Sequence, residues 1–270
     1  MDERVYWIWI QHGFGEGSPM PWRIHQSWPG GVRGFYEDGP RAWNSMPSIR
    51  EKEAAALYSF SLEEAQAQLE YAERVNWQVI TPECEKYPLA LRNIFDPPAV
   101  LYGKGSLPDV DRQPTIAVVG ARKAQKVSEE KAKEFSYQLA IGGAAVVTGG
   151  AVGIDAAAIL GAMSGEGPVV SVLPVALNSS YPSRNAFLRQ SLLERGGALL
   201  TEYFSQQTPS YGTFQVRNRL ITGLACGVLL LQAAQKSGTM LYAAHAKDQN
   251  RDIFVWPGAP GDAAFAGGRG

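Results

Sequence analysis

Histidine and cysteine are both scarce in this chain of 270 residues. His12, His25 and His245 are scattered, and Cys84 and Cys226 lie far apart with no CxxC pair. A zinc site needs closely spaced ligands, and a disulfide framework needs several paired cysteines. The sequence predicts neither, and free cysteines of this kind favour a reducing, cytoplasmic location.

Long hydrophobic runs and several catalytic motifs are also absent. The apolar run VYWIWI is too short to span a bilayer, and Asp2 and Glu3 precede it where a signal peptide would be basic. The chain contains no Walker A string and no GxSxG. A hydrophobic content of 45% with 19% charged residues instead indicates a globular protein with one large domain, or one large and one small.

The net charge of −1 is unevenly distributed. Residues 1–110 carry 10 basic and 15 acidic side chains, whereas residues 111–270 carry 15 basic and 11 acidic ones. An acidic first part and a basic second part favour an anionic ligand for the second part.

The first part of the chain is irregular and rich in tryptophan, and it contains one clear helix signal. Ser61 is predicted to cap that helix, with Glu64 completing a capping box. Six of the seven tryptophans precede residue 80, and they form either the core of a small domain or a base-stacking platform. The predicted boundaries are a helical domain over 1–80, a connector over 81–111, a sheet domain over 112–258 and a disordered tail over 259–270.

From residue 112 onward, apolar runs alternate with helix patterns. The runs are 115–120, 144–149, 168–174, 198–203, 227–233 and 252–258. Ser128 is predicted to cap the helix after the first run. Fully apolar strands separated by helices are typical of a parallel sheet covered on both faces, which predicts a Rossmann-like, doubly wound α/β domain. Ligands of such folds lie beyond the carboxyl ends of the strands.

Those strand ends carry cationic side chains or glycines whose amides can approach a phosphate. Arg217 and Arg219 are the clearest case, since they stand close together where a helix is predicted to begin. Several such ends suit several phosphates in a row, as in a single-stranded nucleic acid. The candidate ligand-binding residues are Gly120, Arg122, Lys123, Thr148, Gly149, Gly150, Arg184, Asn185, Arg217, Asn218, Arg219, Lys236, Ser237, Gly238 and Thr239.

An enzymatic alternative stays open. Asp155 and Glu202 both lie near predicted strand ends and could form a carboxylate pair. A Rossmann-like nucleotide or phosphoribosyl hydrolase of the lysine-decarboxylase-like type would use such a pair. The Pro-Gly-Gly-x-Gly-Thr-x-x-Glu motif of those enzymes is absent.

Several motifs in order resemble the DNA-processing protein A family of recombination mediators, also called Smf. The matches are the joining segment 87–105, the Gly-Ala-Arg turn 120–122, the glycine-rich loop 148–155, the Tyr-Pro-x-x-Asn-x-x-Leu stretch 181–188, the Phe-x-x-Arg-Asn-Arg stretch 214–219 and the Ser-Gly-Thr turn 237–239. In the family, an acidic residue usually stands where this chain has Gln232.

This resemblance implies a sterile-alpha-motif-like helical domain followed by an extended Rossmann domain. It also implies binding of single-stranded DNA, assistance to RecA loading in natural transformation, and no cofactor, metal site or catalytic residue. The family's dimerisation region follows the Pro257–Gly258 pair, where this chain has the Gly/Ala-rich tail. We therefore expect at most a weakened homodimer, with the strand 252–258 at or near a sheet edge.

Overall fold

The computed structural model describes residues 1–206 and 208–269, which divide into two compact units. The first unit consists of Met1–Tyr87 and Ile94–Tyr102, and the second of Pro88–Asn93 and the chain from Gly103 onward. The chain therefore changes unit three times between residues 87 and 103, where the sequence predicted one continuous connector.

The first unit is mainly helical. Its elements are α1 (Glu3–Phe14), α2 (Met20–Ser27), α3 (Gly31–Ser45), α4 (Glu51–Ser59), α5 (Leu62–Arg74) and a short strand β1 (Gln78–Ile80). The predicted capping box of α5 is confirmed, because Ser61 accepts from the Glu64 amide and Glu64 accepts from the Ser61 amide. The helix therefore begins one residue after its serine cap.

The tryptophans of the first unit form its core. Five of them are less than one tenth exposed: Trp7, Trp9, Trp22, Trp43 and Trp77. The Trp9 indole donates to the Leu57 carbonyl at 3.1 Å, and the Trp43 indole donates to the Phe35 carbonyl at 2.7 Å. Buried rings with satisfied N–H groups pack a domain interior, so the core interpretation holds for these five side chains.

The second unit alternates strands and helices. It contains α6 (Leu89–Arg92), the end of β2 (Leu101–Gly105), β3 (Thr115–Gly120), α7 (Lys126–Ile141), β4 (Ala145–Thr148), α8 (Ile154–Ser164), β5 (Val169–Val172), α9 (Ala186–Glu194), β6 (Ala198–Thr201), α10 (Tyr211–Gly223), β7 (Gly227–Leu231), α11 (Met240–Asp248) and β8 (Asp252–Trp256). Single 3-10 segments cover Ser183–Asn185 and Ala263–Arg269.

Six strands of this unit form a parallel sheet in the order β6-β5-β4-β3-β7-β8. Every residue of β4, β5 and β6 is buried, as a sheet covered on both faces requires. The predicted Rossmann-like fold is thus confirmed.

The order of the sheet reverses between β3 and β7. Strands β3 to β6 follow one another toward one edge, whereas β7 returns to the other side of β3 and β8 follows it. Loops that leave two adjacent strands in opposite directions open a crevice at their carboxyl ends, and ligands of open α/β sheets bind there.

The prediction for Ser128 was wrong. The helix begins at Lys126 with Gln125 in the cap position, so Ser128 lies inside the first turn and is fully buried. A serine before two glutamates is typical of a helix cap, but here the turn after β3 begins the helix three residues earlier.

The tail after Gly258 is ordered up to residue 269, where the sequence predicted disorder. Phe265 is 1% exposed, and its ring meets that of Trp256 edge-on with centroids 5.3 Å apart. The Gly267 amide donates to the Ala233 carbonyl at 2.9 Å, and Asp262 accepts from the Gln125 side chain at 2.8 Å. The prediction counted only the tail's own apolar surface and left out the strand surface that it covers.

Strand β8 lies at the edge of the sheet, as predicted. Its side chains Ile253, Phe254 and Val255 are 39%, 53% and 37% exposed. The outermost strand of the sheet therefore presents apolar surface at the sheet edge.

Candidate functional site

A cavity of about 560 Å³ opens at the carboxyl ends of β3 and β7. Gly120 and Ala121 line it from β3, Gln232 and Ala234 from the end of β7, and the first turns of α10 contribute further residues. We call it the β3–β7 cavity. Its volume falls within the range of roughly 300–1,000 Å³ found for ligand sites, and its position is the reversal point of the sheet.

The backbone at the mouth of the cavity is tightly packed. A Cβ atom at Gly120 would overlap the Leu231 carbonyl oxygen and the Ile154 side chain, so only glycine fits there. The Ala121 amide donates to the Gln232 carbonyl at 3.1 Å, and the Gln232 side chain accepts from the Gln125 amide at 2.8 Å. Gln232 therefore ties the turn after β3 to the end of β7.

Arg122 and Lys123 follow this turn, and both side chains are exposed and line the cavity. The Arg122 guanidinium lies over the Phe214 ring, with Cζ 4.2 Å from the centroid. Among the described residues, no carboxylate forms an ion pair with Arg122. These two cations, both among the candidate residues, are thus available to an anionic ligand.

Arg217 lines the cavity but is not the exposed cation that the sequence predicted. It is 2% exposed, and its Nη1 donates to the carbonyls of Gly149 at 2.6 Å and Val172 at 2.7 Å. Its Nε donates to the Asn218 side chain at 3.1 Å. Arg217 therefore fastens α10 to the ends of β4 and β5.

Arg219 is an internal residue as well. Its Nη1 and Nη2 donate to the two carboxylate oxygens of Glu202 at 2.8 and 2.9 Å, and both side chains are 2% exposed. α10 begins at Tyr211 under a Ser210 cap, so both arginines lie mid-helix rather than at a helix start. Two positions along a helix correspond to a rotation of roughly 200°, so Arg217 and Arg219 cannot face one ligand together.

The Asp155 side chain folds back onto the glycine-rich loop 148–155, to which it belongs. Its carboxylate accepts from the Ala151 amide at 3.2 Å and from the Gly149 amide, and the side chain is 4% exposed. Burial raises the pKa of Asp155, and the nearby Arg217 and Arg122 guanidinium groups oppose that rise. Two of the loop amides expected to meet a phosphate are therefore already engaged by a carboxylate of the protein itself.

The other predicted loop residues support rather than line the cavity. The Asn185 side chain is buried and donates to the Gly150 carbonyl at 2.9 Å, and Thr148 is fully buried. Arg184 and Lys236 are exposed but do not line the cavity, whereas Asn218, Ser237, Gly238 and Thr239 do.

Three aromatic residues that line the cavity were missing from the sequence-based set. Phe214 and Tyr211 offer aromatic surface, and Tyr211 is 68% exposed. Tyr242 is buried, and burial raises its pKa to about 12, so its hydroxyl is neutral near pH 7. Phe214 opens the Phe-x-x-Arg-Asn-Arg stretch, which is the signal that could have identified it.

The described residues contain neither a metal-ligand cluster nor a membrane-spanning helix. No group of three or more histidine, cysteine, aspartate or glutamate side chains within 1–206 and 208–269 could hold a metal ion. No helix in the same ranges is long and apolar enough to cross a membrane.

Comparison with known proteins points to one family. The family profile of DNA recombination-mediator protein A matches residues 78–269. Protein Smf of Escherichia coli is 35% identical over 216 residues, which are 80% of this chain and 58% of that protein. The DNA processing protein DprA of Bacillus subtilis is 31% identical over 184 residues, 68% of this chain and 61% of that protein. The chain thus spans about three-fifths of the length of these relatives.

Two solved structures are similar. DNA processing protein A of Streptococcus pneumoniae matches 98% of this chain and 90% of its own, with a TM-score of 0.82 at 23% identity, which supports the fold. DNA processing protein A of Helicobacter pylori, for which a single-stranded DNA binding mode is described, matches 69% of this chain and 83% of its own, with a TM-score of 0.63 at 30% identity.

Proposed function

The chain belongs to the DNA recombination-mediator protein A family, and we propose that it binds single-stranded DNA at the β3–β7 cavity and assists RecA loading in natural transformation. The observation that carries the proposal is the make-up of that cavity. Exposed cations, Arg122 and Lys123, line the same cavity as the exposed aromatic side chain Tyr211. Proteins that bind single strands without strong sequence preference combine these two features, because cations meet phosphates and rings meet bases.

The position of the cavity agrees with this role. It lies at the reversal point of the sheet, in the unit that carries the basic part of the chain. Gly120 and Ala121 line it with small residues, which leaves room for a phosphate near the main chain.

We further propose that the role is binding rather than catalysis. The hydrolase alternative needs a carboxylate pair, but Glu202 is held by Arg219 and Asp155 by loop amides. An assay for turnover of ATP, NAD and nucleoside monophosphates tests whether the protein is a catalyst. Steady product release that Asp155→Asn abolishes would favour the hydrolase instead.

The binding proposal is tested by fluorescence anisotropy with labelled oligothymidylate and a matched duplex over a salt series. We expect tighter binding to the single strand. If Arg122 and Lys123 each neutralise one phosphate, the slope of log K against log[salt] is about −1.4 or steeper, from roughly −0.7 per phosphate. Equal affinity for the duplex at moderate salt contradicts the proposal.

Charge removal locates the interface. Arg122→Gln should weaken binding and flatten the salt slope by about 0.7. Lys133→Gln on α7 is the matched control, because Lys133 is an exposed cation that does not line the cavity. If both variants have the same effect, the strand binds elsewhere.

RecA assistance is a separate measurement. We expect the parent protein to speed RecA assembly on single-stranded DNA and Arg122→Gln to do so less. Normal DNA binding without any acceleration of assembly would remove RecA from the proposal and leave the DNA interface in place.

A further inference from the structure

We infer that Phe214 is a positioning residue: its ring holds the Arg122 guanidinium in the orientation that meets the DNA strand, before the strand arrives. This inference rests on the proposed function and extends it to a residue outside the predicted site.

The first step is the contact itself. The Arg122 Cζ atom lies 4.2 Å from the Phe214 centroid, well inside the limit of about 6 Å for a cation–π interaction. The Arg122 side chain is otherwise exposed, and no described carboxylate forms an ion pair with it. The ring therefore contacts the guanidinium directly, whereas the buried Asp155 carboxyl interacts with it electrostatically without forming an ion pair.

The second step is that the ring is itself fixed. Phe214 lies in the first turn of α10, where its amide donates to the Ser210 carbonyl at 3.1 Å and the Ser210 capping box begins the helix. The Tyr181 ring meets it at 61° with centroids 6.0 Å apart. Arg217 lies 5.8 Å from the same ring and is anchored to two strand ends. A mobile ring could not orient a cation, but this one is held on several sides.

The third step is energetic. A free arginine loses rotamer freedom when a ligand immobilises it, and a planar guanidinium already stacked on a ring loses less. The expected benefit to affinity is about two- to fivefold, the scale of an exposed cation–π contact.

The test is a double-mutant cycle on labelled oligothymidylate, with Phe214→Leu and Arg122→Gln alone and together. Phe214→Leu keeps the apolar cover but removes the π face. We expect it to weaken binding two- to fivefold in the parent and to have no further effect when Arg122 is already glutamine. Equal weakening in both backgrounds overturns the inference, because the ring would then act on the DNA or on the fold.

Two further variants sharpen the cycle. Phe214→Tyr keeps a π face and should restore parental affinity, and failure to do so counts against the inference. Tyr211→Leu is the matched control, since Tyr211 lines the cavity and, among the described residues, the ring over which Arg122 lies is that of Phe214. Tyr211→Leu should change the affinity by the same factor with Arg122 present or replaced. If Tyr211→Leu and Arg122→Gln are coupled as strongly as Phe214→Leu and Arg122→Gln, the Phe214–Arg122 interaction is not specific and the inference is overturned.

The free protein offers a measurement that does not depend on DNA. The side-chain protons of Arg122 should show an upfield ring-current shift in NMR spectra, and the absence of that shift overturns the inference. If the shift is present but the parent does not bind single-stranded DNA, the proposed function fails while the positioning contact stands.

Discussion

Replacing Glu202 with glutamine should destabilise the second unit strongly while leaving the β3–β7 cavity in place. The carboxylate receives two hydrogen bonds from Arg219, at 2.8 and 2.9 Å, and both side chains are 2% exposed. Removing the carboxylate charge breaks a buried ion pair, which costs about 3–5 kcal/mol. At about 2–4 °C per kcal/mol for a unit of this size, the melting temperature should fall by roughly 6–20 °C.

The assay is urea and thermal unfolding followed by circular dichroism. Glu134→Gln is the control, because the Lys131–Glu134 pair at 2.7 Å is 38% and 55% exposed and should contribute no more than about 1 kcal/mol. If Glu202→Gln unfolds no more easily than Glu134→Gln, the reasoning about the internal pair is refuted.

A double replacement separates the structural role of Arg219 from a role in binding. Combining Arg219→Met with Glu202→Leu removes both charges, and apolar side chains of similar volume should recover most of the lost stability. Because Arg219 does not line the cavity, this variant should bind single-stranded DNA with parental affinity. A large loss of affinity in a stable double variant would return Arg219 to the interface.

Three further outcomes are expected. Phe265→Ala should cost about 3–5 kcal/mol in urea unfolding, since the ring is 1% exposed, and a cost below about 1 kcal/mol would contradict the ordered tail. Ser128→Ala should be neutral or slightly stabilising, because its buried hydroxyl has no hydrogen-bond partner among the described residues, whereas Ser61→Ala should cost about 1 kcal/mol through the lost cap; the reverse order would refute both assignments. The Asp155 carboxyl should titrate in NMR spectra with a pKa above its ordinary value of 3.8, and a midpoint at the ordinary value would contradict this prediction. The protonated carboxyl should contribute to the free energy of unfolding below pH 3.8, and this contribution should be lost as the pH rises through the raised pKa. Asp155→Asn should remove this pH dependence of stability.

The alternation of strands and helices in the second unit, and its parallel sheet, were predictable because their signal is local. Runs such as 144–149 are apolar throughout, and only a strand covered on both faces uses such a run between helices. The cavity at the ends of β3 and β7 follows from the same logic, because parallel strands deliver their following loops to one side of the sheet. This reasoning placed Arg122 and Lys123 among the candidate residues.

The direction of individual side chains was not predictable. Arg217 and Arg219 look alike in sequence, and only the contacts with the Gly149 carbonyl and with Glu202 show that both are internal. Phe265 was missed for a related reason. A single aromatic residue among glycines and alanines does not bury enough apolar surface to order a tail by itself. Phe265 orders this tail because its ring packs against the ring of Trp256.

The anchoring of Arg217 has a consequence for the thermodynamics of ligand entry. The carbonyls of Gly149 and Val172 are already bonded to it, and Asn185 already holds the Gly150 carbonyl. A ligand entering the β3–β7 cavity therefore has little protein backbone to order, and the entropy lost on association falls mainly on the ligand. Calorimetry should then report a heat-capacity change set by buried apolar surface alone, without the larger decrease that accompanies folding of a loop. Association rates should likewise follow diffusion and charge rather than a slow rearrangement of the protein.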